Sequence, residues 1–351
     1  MNEGQINSSP KYSREFLRQL PKVELHRHLE GSLRLTTLVE LARDLGIEIP
    51  PTEQQVIDDF LVTKPMKDLE SVLKKFMRTQ AVLSSEEILA RITFEAIEDA
   101  CHEGIRLLEL RWAPFYIADG HPGLTPEKIL RGIKMGLKMA QELPIAVGFI
   151  SIVQRIHSLE EAEQVLQLTL DHRDFFVGID LADNEVGFDP THFEKIFSRA
   201  QAQDLPITIH AGEAPFAEAS LNVKKSIELL GAQRIGHGLQ IFRDPFIMSL
   251  VRQKGIPLEL CPTSNWLTQS VPSLEAHPIR QLMEAGIPVT INSDDPGIFG
   301  IDLVHEYQVL SEIHHFTEAE FNNCNDVAAQ ASFIPRMQKQ KFWPRPIHNL
   351  R

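Results

Sequence analysis

Cysteine is scarce in this chain: Cys101, Cys261 and Cys324 are the three among 351 residues, widely spaced and odd in number. That argues against a disulfide framework and fits a reducing cytoplasm. Long apolar runs are missing as well. None approaches the ~18 residues of a membrane span, and the opening MNEGQINSSPKYSREF lacks the apolar segment of a secretion signal. Basic charge is in deficit, with 35 Lys and Arg against 48 Asp and Glu and a net charge of −13. Neither nucleic acid nor a membrane surface suits such a balance as a partner. Internal repeats and low-complexity tracts are absent. What is present is an apolar fraction of 43%, enough for a large core. These features predict a soluble, cytoplasmic globular protein.

Residues 1–20 read as a polar lead-in that ends in a short helix, SREFLRQL. A strand follows from Pro21, then helical spacing over Leu35–Leu45. Residues 51–100 carry only helical signals; the last helix begins at a cap, Ser84-Ser85-Glu86-Glu87, and stops at Gly104. This helical insertion is expected to cover the mouth of any pocket. Short β-rich runs then alternate with helices: 107–114, 145–153, 175–182, 206–213, 234–239, 256–265 and 287–295. In KGIPLEL and AGIPVTI a glycine ends one helix and a strand begins at once. With the opening strand, the pattern gives eight βα units. It predicts an α/β fold, a (β/α)8 TIM barrel spanning 21–335 with the insertion after the first strand. An open doubly wound sheet is the other arrangement the pattern allows. Residues 336–351 form a basic, proline-containing tail.

A barrel of this kind keeps its active site at the C-terminal ends of the strands, so reactive residues should collect there. They do. The first strand ends His26-x-His28-x-Glu30, the fourth Asp180-Leu-Ala-Asp183-Asn184-Glu185 and the fifth His210-Ala-Gly-Glu213. The sixth holds Gly236-His237-Gly238 and the eighth ends Asn292-Ser-Asp294-Asp295. Taken alone, His26 and His28 suit an ordinary surface or core pair as well as a metal site. Joined by His210 and one aspartate of the 294–295 pair, they supply three nitrogens and one oxygen, which suits Zn²⁺ with a position left for water. Strand alternation implies that Asp294 and Asp295 cannot both face one site, so one is a ligand and the other a substrate contact. Bound Zn²⁺ lowers the pKa of its water from 15.7 to roughly 7. His237 is placed as the base or orienting group for that water, and Glu213 as a proton donor to substrate. Cys261 reads as a small buried apolar residue rather than a ligand.

These motifs, with Leu-Glu259-Leu-Cys261-Pro262-Thr-Ser264-Asn265 and the segment Asn325–Phe333, resemble in order the adenosine deaminase family of zinc aminohydrolases. The resemblance covers roughly 20–335 and implies a (β/α)8 barrel that releases the 6-amino group of a purine nucleoside as ammonia. It implies one Zn²⁺ per chain on His26, His28, His210 and Asp294. Glu213 would protonate N1, His237 would orient and deprotonate the water, and Asp295 would bond N7. Glu30, Asp183 and His28 would join Asp295 in holding the substrate. The H-x-E…P-C-x-x-C signature of the other zinc deaminase architecture is absent.

Two positions depart from the family pattern. Glu30 stands where adenosine-specific members have aspartate, and Asp183 where glycine is usual, a position whose backbone dihedrals an aspartate is expected to reach with difficulty. The leading expectation is deamination of adenosine or 2′-deoxyadenosine, a small-molecule substrate. Adenine and 6-amino-6-deoxyfutalosine are the alternatives, the latter needing a cation such as Arg34 or Arg155 for its distal carboxylate. A different metal hydrolase on the same barrel, or a zinc-stabilised binding protein without catalysis, are the remaining readings.

Overall fold

The computed structural model describes residues 11–66 and 69–347; residues 1–10 of the expected lead-in and 348–351 of the expected tail lie outside it. Among the described residues, eight parallel strands follow one another around a single sheet in chain order. They are β1 (Lys22–His28), β2 (Ile105–Trp112), β3 (Ala146–Gln154), β4 (Phe176–Ala182), β5 (Ile207–Ala211), β6 (Arg234–His237), β7 (Leu258–Leu260) and β8 (Val289–Ile291). The ring meets itself beyond β8. Asp294 N–H donates to His26 O at 3.0 Å, and His28 N–H donates to Asp294 O at 2.9 Å. The closing bridge, Arg27 to Asp294, therefore runs through three sequence-predicted ligands, His26, His28 and Asp294, and the neighbour Arg27. The α/β barrel expectation holds, and the open sheet is excluded.

The strands are buried on both faces, which is why they read as near-continuous apolar runs. Helices return the chain outside them. Two such helices, Glu86–His102 and Pro126–Met139, touch closely because Gly132 and Gly136 lack side chains. A Cβ on either would lie 2.6 or 2.4 Å from the facing backbone oxygen of Glu86 or Ala90. β7 is shorter than its sequence run because Pro262 starts a helix, Pro262–Leu267, almost at once, and β8 because the chain turns at Asp294, φ 64°, before helix Pro296–Phe299.

The insertion contains helices Glu53–Phe60, Leu69–Gln80 and Glu86–His102. Between the first two, Val62 N–H donates to Ile298 O at 2.8 Å and Met66 N–H to Leu267 O at 3.3 Å. Tyr116, after β2, donates its hydroxyl to Phe76 O at 2.7 Å. The insertion thus reaches the segments that follow β2, β7 and β8, all at the C-terminal end of the barrel. At the opposite end, helix Arg336–Phe342 leads to Trp343, which is buried against Val23, Leu25, Leu107 and Ala146 near the strand starts. Among the described residues no helix is long and apolar enough to cross a membrane.

Candidate metal centre and active site

His26 and His28 leave β1 on its way into the mouth, His210 leaves β5, and Asp294 follows β8. One potential ligand atom from each lies within 4.8 Å of all the others. His210 Nε2 and His28 Nε2 are 3.3 Å apart, and Asp294 Oδ1 is 3.3 Å from the Nε2 of both His26 and His28. Ligands at ~2.1 Å from a tetrahedral Zn²⁺ stand about 3.4 Å from one another. His26 Nε2, fully buried, has no hydrogen-bond partner. Burial pushes His26 down to about 4 and His28 well below its usual range, so both offer lone pairs rather than protons. The donor set fits a zinc ion.

The other ring nitrogens explain this alignment. Glu259 on β7 accepts from His26 Nδ1 at 2.8 Å, and Asp180 on β4 faces His210 Nδ1 at 3.0 Å. Each carboxylate fixes its imidazole with Nε2 toward the centre, the usual outer support of a histidine metal site. Arg111 binds both carboxylates, at 2.7 Å to Asp180 and 2.8 Å to Glu259. Arg234 adds a contact of 2.6 Å to Glu259 and 2.7 Å to Glu109. Glu259 and Asp180 were visible in the motif strings, but their partners come from other strands, and no local pattern announces the pairing. Asp294 is held by its second oxygen, which accepts from Ser264 Oγ at 2.7 Å.

Strand alternation was the wrong basis for separating Asp294 from Asp295. β8 ends at Ile291, and Asp294 has φ 64°, a left-handed conformation that aspartate tolerates better than most residues. The turn brings both carboxyls into one chamber. Asp295 packs so closely on Gly31 that a Cβ there would lie 1.8 Å from its Oδ1. Burial, then the neighbouring Asp294 charge, pushes the Asp295 carboxyl well above its ordinary range.

Glu213 stands across the chamber, its Oε2 3.5 Å from His237 Nε2. Burial raises its pKa. Its turn is held by the Glu185 carboxylate, which accepts from the N–H groups of Gly212, Glu213 and Ala214 at 2.7–2.9 Å. His237 Nε2 is 3.8 Å from Asp294 Oδ2. Glu30 lies beyond the end of β1; one oxygen accepts from Ala113 N–H at 2.6 Å, and the other is buried without a partner. Burial pushes its carboxyl up to about 7. Asp183 does adopt the left-handed dihedral that aspartate was expected to reach with difficulty, with φ 80°. Its side chain is exposed and stays local, accepting from Asn184 N–H at 2.6 Å and Gln154 Nε2 at 2.9 Å. Cys261 is a buried free thiol, as the sequence suggested.

The two candidate cations are committed elsewhere. Arg155 is buried and donates to His210 O and, at 3.3 Å, to Phe188 O. Arg34 pairs with Glu98 and Asp99, both at 2.6 Å. It lines a cavity of about 520 Å³ together with Asp99, and the walls include none of His26, His28, His210, Asp294, Glu213 or Asp295.

The family model for adenosine deaminase matches residues 21–345. The chain belongs to the adenosine deaminase family. It is 35% identical to an adenosine deaminase of Pectobacterium atrosepticum over 92% of this chain and 96% of that one. Among solved structures it resembles an adenine deaminase from Arthrobacter aurescens, with a TM-score of 0.83 and 27% identity over 91% of this chain and 96% of that one. It also resembles an amidohydrolase from Burkhoderia ambifaria with bound Zn, with a TM-score of 0.81 and 25% identity over 95% and 92%. Membership makes the chain a zinc-dependent aminohydrolase, and it excludes the non-catalytic reading.

Proposed function

We propose that this protein hydrolyses adenosine or 2′-deoxyadenosine to the inosine product and ammonia, in one catalytic unit over 21–335. His26, His28, His210 and Asp294 hold one zinc ion. When bound, the ion supplies the positive charge that makes a water acidic near neutral pH. The observation that carries the reading is Glu213, a half-buried carboxyl whose pKa is raised by desolvation, beside four converging ligand atoms.

The purine offers acceptors at N1, N3 and N7, so each needs a donor. Glu213 in its acid form donates to N1, which makes C6 electrophilic. Asp295, its pKa raised by burial and by the Asp294 charge, is placed to donate to N7. The backbone N–H of Asp183 serves N3, His28 flanks the ring, and Glu30 meets the sugar. His237 acts on the water as orienting group or base. Fixed before substrate arrives, these groups favour the transition state without reorganisation.

Free adenine is the second reading, and Glu30 is the observation that favours it. Its extra methylene shortens the space beyond the purine, and its unpartnered oxygen needs a hydrogen-bonding group close by. Aminodeoxyfutalosine loses support because Arg34 and Arg155 are engaged. AMP is disfavoured by the acids around the mouth. The small-molecule substrate, the cysteine usage and the charge balance all suit the cytoplasm. An ammonia-release panel with adenosine, deoxyadenosine, adenine, AMP and aminodeoxyfutalosine, ranked by kcat/KM, tests the reading. Adenosine or deoxyadenosine should rank first; adenine in first place would transfer the assignment to the free base.

A further inference from the structure

Behind His237 runs a chain of buried polar groups that none of the roles above uses. His237 Nδ1 is 3.0 Å from Asn265 Nδ2, and Asn265 Oδ1 is 3.2 Å from His277 Nε2. His277 Nδ1 in turn accepts from Ile279 N–H at 3.2 Å. All three side chains are buried, with 1%, 0% and 3% exposure, so water is not available to replace a mismatched partner.

A backbone N–H donates and never accepts, and this fixes the direction of the whole chain. His277 Nδ1 must carry a lone pair. A neutral imidazole then has its proton on Nε2, and burial pushes His277 down to about 3, which keeps it neutral. That Nε2–H donates to Asn265 Oδ1, so the Asn265 amide group faces His237. The amide donates to His237 Nδ1, which leaves the remaining proton of neutral His237 on Nε2. Reversing the Asn265 amide would set two donors against each other at His277 and leave a buried polar group unsatisfied.

We propose that Asn265 and His277 are positioning residues that lock His237 as an Nε2–H donor toward the chamber. The inference rests on the deaminase reading of the site for its consequence, though not for its geometry. The consequence is a choice between the two roles left open for His237. Held in this tautomer, it presents a proton to the water oxygen and orients it. It has no lone pair at Nε2 with which to take the water's proton. Two carboxylate oxygens stand beside that nitrogen, Glu213 Oε2 at 3.5 Å and Asp294 Oδ2 at 3.8 Å.

The direct test is ¹⁵N NMR of the zinc-loaded full chain with ¹⁵N-labelled histidine, His237 being assigned by the signal missing in His237→Gln. The expected spectrum at neutral pH shows an unprotonated Nδ1 and a protonated Nε2. A proton on Nδ1 overturns the proposal, and this outcome leaves the deaminase reading untouched. Asn265→Asp supplies the reversed polarity in the same shape: its carboxylate accepts from both rings and moves the His237 proton to Nδ1. With zinc content and Tm retained, kcat should fall about 100-fold while KM changes little. His277→Gln keeps a donor toward Asn265 Oδ1 and should retain most of the kcat that His277→Leu loses. An Asn265→Asp protein with the switched tautomer and undiminished kcat would mean that His237 does not act as a donor.

Discussion

Glu259→Gln isolates the outer support of the metal site. In the native protein this carboxylate is fully buried and accepts from His26 Nδ1 at 2.8 Å, Arg111 at 2.8 Å, Arg234 at 2.6 Å and Thr208 Oγ1 at 3.1 Å. Glutamine keeps the volume but offers one acceptor oxygen where two served, and turns an NH₂ toward groups that are themselves donors. His26 and the two guanidiniums then compete for the single oxygen. Arg111 keeps Asp180 and Arg234 keeps Glu109, each at 2.7 Å, so two of the four arginine–carboxylate pairs in this network remain. Loss of an outer partner weakens metal binding about 10- to 100-fold, equivalent to roughly 1.4–2.8 kcal/mol. Breaking a buried charge network also costs about 3–5 kcal/mol of stability. Zinc affinity by chelator competition, read on protein shown to be folded by circular dichroism, separates the two effects. A folded Glu259→Gln protein that binds zinc as tightly as wild type would refute the role assigned to this carboxylate.

Three further outcomes follow from particular contacts. Gly31→Ala drives a Cβ into the space of Asp295 Oδ1, 1.8 Å away. Displacing a substrate group by this much should cut kcat/KM about 100-fold with zinc content unchanged, and a fully active variant would contradict the placement of Asp295. Asp183→Gly should relieve the positive φ and keep kcat/KM within about three-fold, because the substrate contact is assigned to the backbone; complete loss of activity would instead assign it to the side chain. Glu306 accepts from Thr263 N–H, and burial pushes it up to about 8. The folded protein therefore binds a proton there that the unfolded chain releases above its ordinary value of 4.5. Its contribution to stability is full below that value and is lost as pH rises toward 8, by at most about 5 kcal/mol. Glu306→Gln should flatten this part of the stability–pH curve measured by denaturant unfolding; an unchanged slope would show that Glu306 is not the group responsible.

The cluster of His26, His28, His210 and Asp294 was legible because each of its members sits at a strand end in a short motif. Histidines and acids at the C-terminal ends of βα units are informative without any contact map. Glu213 and His237, which stand beside that cluster, lie in motifs of the same kind. The supports were not legible in this way. Asp180 meets His210 and Glu259 meets His26 only after the barrel closes, and the local sequence of either reads as an acid in an apolar strand. His277 lies in a loop before helix Ile279–Glu284, where a histidine followed by proline carries no sign of a distant partner. Asp294 and Asp295 show the opposite failure. Period-two alternation was applied beyond the last strand residue, where a left-handed turn had already replaced it. The cations proposed for a distal carboxylate failed because ion pairing is a property of neighbours across the fold. Arg34 finds Glu98 and Asp99 on a helix more than sixty positions away.

The central claim is that Glu213 gives a proton to the purine while His26, His28, His210 and Asp294 hold the metal. Ammonia release from adenosine by the zinc-loaded protein, measured beside Glu213→Gln at equal zinc occupancy, tests it most directly. The wild type should release one ammonia per inosine. The variant, with one zinc per chain, should be slower by about 100-fold or more. A Glu213→Gln protein that turns over at the wild-type rate, or a zinc-replete wild type inert toward every 6-aminopurine, would contradict it.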